Sequence, residues 1–358
     1  MTATLSRRSA PSQLVGARLP KWAPLVAAAV AIAIAIGLRF LFSWTGWATT
    51  TVTAGVLFVL ILTAWSFSVE GRRRAKDRFA STMIYACFVA AVVPLVLILT
   101  YIAIRGFPAF SVSFFTHSMN GVGPDDDGGG LYHALIGTLQ QVTIAAVIAL
   151  PIGIFTAIYL VEYGRGAFAR AVTFFVDVMT GIPSIVAGLF VFTFLLLGLG
   201  MRPFGAAGSI ALAILMMPVA VRSSEEMLKL VPRDLREASY ALGVPKWRTI
   251  LKVVLPTALS GLITSALLAV ARVAGETAPL ILLTGYVSQI NLNPFSGQQA
   301  SLPMMVWDQL GKRTGNSGAI GGPWEARAWG AALTLVLLVL ILNIGARVLA
   351  WAFRPKAR

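Results

Sequence analysis

The 358-residue chain is 57% hydrophobic and 12% charged, with a mean hydropathy of +0.81, which is more apolar surface than a soluble domain can bury. Its net charge of +15 raises nucleic acid as a partner, but the basic residues lie between apolar runs, where they fix topology and meet anionic membrane lipid. A single cysteine, Cys87, and two histidines, His117 and His133, exclude a disulfide framework and a Cys- or His-rich metal site.

In lipid every backbone polar group must be bonded within its own element, so the long apolar runs read as helices of an all-α polytopic membrane protein. The AIAIAI of residues 31–36 alternates two apolar types and carries no strand signal. Spans are expected at about 22–43 and 48–69, joined by a tight turn, with Arg39 able to snorkel from the first. The first run is long and reads as a retained span rather than a cleaved signal. A densely basic loop, EGRRRAKDRFA, covers 70–80, and a third span covers about 82–104. The stretch 105–133, with GVGPDDDGGG, reads as a flexible aqueous loop with Asp125–Asp127 at a solvated tip. A fourth span at about 134–161 is interrupted by Pro151. A fifth, at about 171–200, holds Asp177 as a salt-bridge or structural residue and is kinked or broken near Gly181–Ser184. A sixth at about 204–221, a loop 222–254, a seventh span at about 255–285, a polar segment 286–328 and an eighth span at about 329–353 complete the chain. Most of the 29 lysines and arginines fall in the N-terminus, 70–80, 162–170, 222–254 and the C-terminal end, which places those segments, and both termini, in the cytoplasm.

Within 222–254, Asp234 and Glu237 have the spacing of a capping box, and Leu235, Ala238, Ala241 and Leu242 recur at helical spacing. Gly243 suits a helix C′ position and Pro245 the first turn of a second helix, whose Trp247, Ile250, Leu251 and Val254 continue an apolar face. So short an amphipathic pair needs a groove in another protein or a membrane surface to lie on. In the seventh span, ARVAGETAPL sets Arg272 and Glu276 four residues apart, on one face of a helix. Charges at that depth face a protein interior or a water-filled path. Arg272 either meets an anion, with Glu276 holding it, or the two form a structural ion pair. Gln140 and Gln141 are path-lining or interhelical hydrogen-bonding candidates, and Ser184 begins the piece after the Pro183 break. No nucleotide-gripping G-x-x-x-x-G-K-[ST] loop occurs in the chain.

Glu237, Ala238, Gly243, Ile250, Leu255 and Pro256 together resemble the EAA loop of ABC-importer permeases, with Ser239 departing from the third position. RVAGETAPL, GTLQQVTIAAVIALPIGIFTAIYLVEY, MTGIPSIVAGLF, VPRDLREASYALG and SLPMMVW resemble the PstA side of the phosphate ABC importers, over about 82–353. The resemblance implies a six-span permease core at 81–358, with a coupling loop at 222–254, behind an added two-helix hairpin in 1–80, about eight spans in all. It implies Arg272 and Glu276 as transport residues and the EAA residues on the coupling surface; Thr277, Ser184, Gln140 and Gln141 are the further candidates for the substrate path. It further implies a bacterial plasma-membrane complex with a PstB-like ATPase dimer, a PstC-like permease chain and a PstS-like phosphate-binding protein. ATP and Mg²⁺ would be held by the ATPase, with no cofactor, metal or catalytic residue in this chain. A permease for phosphonate, sulfate or molybdate, a gradient-driven transporter and a non-transporting scaffold are the rival expectations.

Overall fold

The computed structural model describes residues 18–311 and 322–352; Arg7, Arg8, Lys312, Arg313, Arg354, Lys356 and Arg358, used above to orient the chain, lie outside the described residues. No strand occurs among the described residues. Seven helices are long and apolar enough to cross a membrane, and a sharply bent pair makes an eighth if it counts as one span. The chain divides into two compact units, up to Leu99 and from Thr100.

The first unit opens with a hairpin of α1 (Ala23–Leu41) and α2 (Trp47–Glu70). Ala23, Ala27, Ala31 and Ala35, one turn apart, are fully buried, whereas Ile32, Ile34 and Ile36 point outward. The small residues let the helices approach, and the large apolar ones face the bilayer, the reverse of a soluble helix. Arg39 folds back over the Trp47 ring at 4.0 Å. The expected basic loop at 70–80 is not a loop. Gly71, at φ +83, turns the chain, and Arg72 begins α3 (Arg72–Gly106), 35 residues that carry the chain into the second unit.

In the second unit a short α4 (Val112–Thr116) precedes α5 (Tyr132–Ile158), which runs on through a π turn at Tyr159–Tyr163. Pro151 does not interrupt it; the helix continues on both sides. Then α6 (Gly166–Thr180) and α7 (Ser184–Val191) meet at a break, Gly181–Pro183, and the segments Gly166–Thr180 and Ser184–Gly198 diverge by 106°. Extended Pro183 (ψ 141°) makes this a break rather than a kink.

Helix α8 (Gly205–Lys229) is the centre of the unit, buried along Ala206, Ala207, Gly208, Ala211, Leu212, Met216, Ala220 and Leu228. It outruns the span expected at 204–221 because Arg222, Glu225 and Lys229 pair along its last turns, at 2.7 Å in each case, and keep the polar end helical. Arg222 also pairs with Asp177 of α6. Next come α9 (Arg233–Ala241), α10 (Lys246–Thr249), a π turn at Ile250–Val254, α11 (Leu255–Ala274), α12 (Ala278–Leu283), α13 (Leu302–Gly311) and α14 (Pro323–Ala352). Residues of α5, α8, α11, α12 and α13 share the main core, with Val142, Ala145, Met216, Ala269, Val273, Leu280 and Met304 in it.

Two expected loops are packed into the unit in part. The polar stretch 289–298 is largely exposed, as expected, but Gln299, Ala300, Ser301 and Leu302 after it are buried, and Ala300 and Leu302 share a second core cluster with Met119 and Leu131. Gly137 and Gly205 make room for the buried part, since a Cβ at either would lie within 2.1 Å of Ala300 or Gln299. The Gly/Asp stretch is not a loose loop. It wraps Arg327, expected in an external loop but buried in α14, whose Nε donates to Gln309 Oε1 at 3.1 Å. Its Nη1 donates to the carbonyls of Asp126 and Gly128 (2.7 and 3.2 Å), and its Nη2 to those of Gly123 and Pro124 (3.0 and 2.7 Å). Every guanidinium N–H is thereby satisfied, while the Asp125, Asp126 and Asp127 side chains stay exposed.

Candidate coupling element and substrate path

Pro232, the N-cap at φ −55°, starts α9 before Asp234 is reached, so no capping box forms: the end has no side-chain cap, and Asp234 lies within the first turn. The other end matches the expectation at Gly243. Gly243 N–H bonds Tyr240 O at 2.9 Å and Val244 N–H bonds Ser239 O at 3.2 Å, with Gly243 at φ +73, which is a Schellman cap. Pro245 is the N-cap of α10 rather than a first-turn residue.

The pair α9–α10 is clamped from beneath. Arg236 donates from Nε and Nη2 to Glu162 Oε1 at 3.0 and 2.9 Å, and to the carbonyls of Val231 (2.6 Å) and Leu228 (3.0 Å). Both side chains are largely buried, 14% and 5% exposed. Lys246 donates to Glu162 O and lies 4.8 Å from the Tyr163 ring centre. Ser239 and Thr249 hydroxyls, both buried, bond at 2.8 Å across the turn. Ser239, a departure from the EAA pattern, is therefore the inner latch of this turn. Ile250 and Val254 are buried with Leu228, Val231 and Ala157, and Leu255 packs against them. The six EAA-like residues thus divide: Ile250 and Leu255 face inward, whereas Glu237, Ala238, Gly243 and Pro256 are exposed. Beside the exposed set lie Leu235, Tyr240, Leu242, Trp247 and Leu251, an apolar outer face with Leu242 83% exposed. Among the described residues the Glu237 carboxylate has no hydrogen-bond or ion-pair partner.

From Lys246 to Ala274 the chain is a continuous 29-residue rod, about 43 Å long at 1.5 Å per residue. Arg272 lies in its last turn, where the helix dipole favours a cation. Arg272 and Glu276 do not share a helix face, contrary to the spacing argument. Pro279 lacks an N–H and its ring excludes the carbonyl four residues back, at Gly275, so α11 stops at Ala274 and Glu276 leaves the helix. Among the described residues the two side chains form no ion pair or hydrogen bond, with each other or with any neighbour. Arg272 is exposed, and Glu276 and Thr277 are half-buried.

Ser184 belongs to the same neighbourhood. A Cβ on Gly188, one turn after Ser184, would stand 2.8 Å from Pro279 Cα, and one on Gly208 would stand 2.4 Å from Thr284 Cγ2. These two glycines admit α12 between α7 and α8. Val191 and Leu283 then share a core cluster, so α7 and α12 run the same way from their breaks. Gln140 and Gln141 are held elsewhere. Gln141 Nε2 donates to Gln299 Oε1 at 3.2 Å; Gln299 Nε2 donates to Gln140 Oε1 (2.5 Å) and Asn291 O (3.1 Å); Gln140 Nε2 reaches Leu292 O at 2.9 Å. They tie α5 to the segment before α13. Sequence reasoning missed Glu162, Arg236, Lys246 and Gln299, whose partners lie 74 to 159 residues away. The only local signal is an acid and a lysine beside aromatic residues at helix ends.

A bundle of apolar spans around α8, with a clamped amphipathic pair at one end and, among the described residues, unpaired Arg272 and Glu276 beside the break after Ala274, has the architecture of a membrane transport component. Residues 149–358 match the binding-protein-dependent transport system inner membrane component family, and the chain belongs to that family. Phosphate transport system permease protein PstA 1 of Mycobacterium tuberculosis (strain ATCC 25618 / H37Rv) is 48% identical over 80% of this chain and 91% of its own length. PstA of Mycobacterium leprae is 48% identical over 77% and 89%, and PstA of Yersinia pestis 40% over 77% and 90%. The inward-facing MetNI methionine ABC transporter shares 21% identity over 63% of this chain and 95% of its own, with a TM-score of 0.47.

Proposed function

We propose that this chain is a permease subunit of an ATP-driven importer of inorganic phosphate, forming half of an alternating-access path. The observation that carries the reading is the 48% identity, over 80% of this chain, to a phosphate transport permease. The geometry supports it. Arg272 is an exposed guanidinium on an apolar span with no partner among the described residues. A charge at that depth is stabilised by water, another chain or an anion, not by lipid. Its planar fork of donors suits a phosphate. Glu276, Thr277 and Ser184 complete the substrate path, with Gln140 and Gln141 supporting its wall.

The exposed face of α9–α10 docks on a separate PstB-like ATPase dimer, which holds the ATP and Mg²⁺. A PstC-like chain supplies the other half of the path, and a PstS-like protein delivers phosphate. The α9–α10 pair faces the bacterial cytoplasm, as do both termini. Motion of this pair is transmitted along the Lys246–Ala274 rod to Arg272. The test is uptake of labelled phosphate into vesicles holding the complete complex, with sulfate and phosphonate as competitors. Phosphate alone should compete fully; preferential loss of signal to sulfate or phosphonate assigns a different oxyanion, and uptake independent of ATP refutes the ABC reading.

A further inference from the structure

The corner of the first unit where α1 and α3 both begin is strongly basic, and one buried carboxylate builds it. Glu70 Oε1 accepts from Leu19 N at 2.9 Å and from Arg78 Nη2 at 3.0 Å, while Oε2 accepts from Ser66 Oγ at 2.7 Å and Arg78 Nε at 3.1 Å. The Glu70 side chain is 3% exposed. It therefore draws residues 18–21 and 72–78, far apart in sequence, to one place. Arg18, Lys21, Arg72, Arg73 and Lys76 are exposed there, and Asp77 is the single exposed acid in those two stretches.

Helix physics opposes this arrangement. The first turn of α3 is Arg-Arg-Arg with no acid, at the end where the macrodipole favours anions. External negative charge is the natural compensation. At 35 residues α3 is about 52 Å long, roughly 20 Å more than the hydrocarbon thickness, so its basic turns extend into the headgroup layer. Trp22 and Trp65 meet edge-on at 6.1 Å beside the corner, and Trp22, Phe67 and Phe79 are exposed, the aromatic belt of a membrane–water boundary.

We infer that this corner binds the phosphodiester headgroups of anionic phospholipid, and that the extra N-terminal hairpin is a lipid-anchored element. The inference does not depend on phosphate being the transported solute. The full-length chain in mild detergent would be mixed with equal phosphatidylglycerol and phosphatidylcholine, and retained lipid counted by native mass spectrometry. Wild type should favour phosphatidylglycerol by about tenfold or more, from about 1 kcal/mol per cation. The Arg72→Gln/Arg73→Gln/Lys76→Gln variant should lose that preference, and an Arg165→Gln/Arg170→Gln/Arg202→Gln control should keep it. Excess inorganic phosphate should not displace the lipid. Equal retention of both lipids by wild type, which needs no variant, overturns the proposal. So does an unchanged triple variant. A control that loses the preference equally assigns it to diffuse charge, and displacement by inorganic phosphate assigns the corner to a free anion; either result overturns it.

Discussion

Replacing Arg236 with Gln strikes the clamp that holds α9. The substitution removes both bonds to Glu162 and those to Val231 O and Leu228 O. Glu162 is left as a carboxylate 5% exposed, and stranding one member of a buried pair costs about 3–5 kcal/mol. The lower end applies, because the Lys246 ammonium remains next to the Glu162 backbone. Helix α9 has nine residues and is marginal alone, so the loss falls on its docking rather than on the whole bundle. About 3 kcal/mol corresponds to roughly 100-fold faster hydrogen exchange at amides 233–242, which mass spectrometry of the purified chain can read. Glu162→Gln in the same background removes the stranded charge and should recover about 1–2 kcal/mol. Unchanged protection in the single variant, or strictly additive effects in the pair, would refute the clamp.

Gly243→Val forces a β-branched residue into φ +73, where no neighbour crowds it, so the effect is conformational and of about 1–2 kcal/mol. Recovery of the ATPase with the permease should fall in pull-downs, while Gly243→Asn, which tolerates that conformation, should retain it. Arg327→Lys replaces a five-donor fork with three donors and leaves at least two of its five acceptors, Gln309 Oε1 and the carbonyls of Gly123, Pro124, Asp126 and Gly128, unbonded. A destabilisation of about 2 kcal/mol or more is expected. Limited proteolysis should then cut within residues 121–129 at enzyme levels that spare wild type.

The spans were legible because lipid permits few alternatives: apolar runs of the right length give α1, α2 and α5 nearly at their observed limits, and the start of α11. Gly243 was legible because its left-handed conformation is a local demand of the cap. The break after Ala274 is also written locally, in Pro279 and Gly275, but a continuous apolar run masks it, and the four-residue spacing of Arg272 and Glu276 gives a shared face only in an unbroken helix. What could not be read were pairings across the chain. Nothing near GVGPDDDGGG announces that Arg327, some 200 residues on, will gather its carbonyls. Nothing near Gln299 announces that the end of a polar stretch will be buried between α5 and α8. Arg236 and Glu162 each look like ordinary surface charges until the fold brings helix ends together.

The most direct measurement of the central claim is ATP-driven phosphate uptake by the reconstituted complex carrying Arg272→Gln. Arg272 has no partner to lose among the described residues, so the variant should assemble with its partners and keep its ATPase subunit. Phosphate uptake should nevertheless fall to background. Wild-type uptake by an assembled Arg272→Gln complex would contradict the assignment of this residue to the anion path.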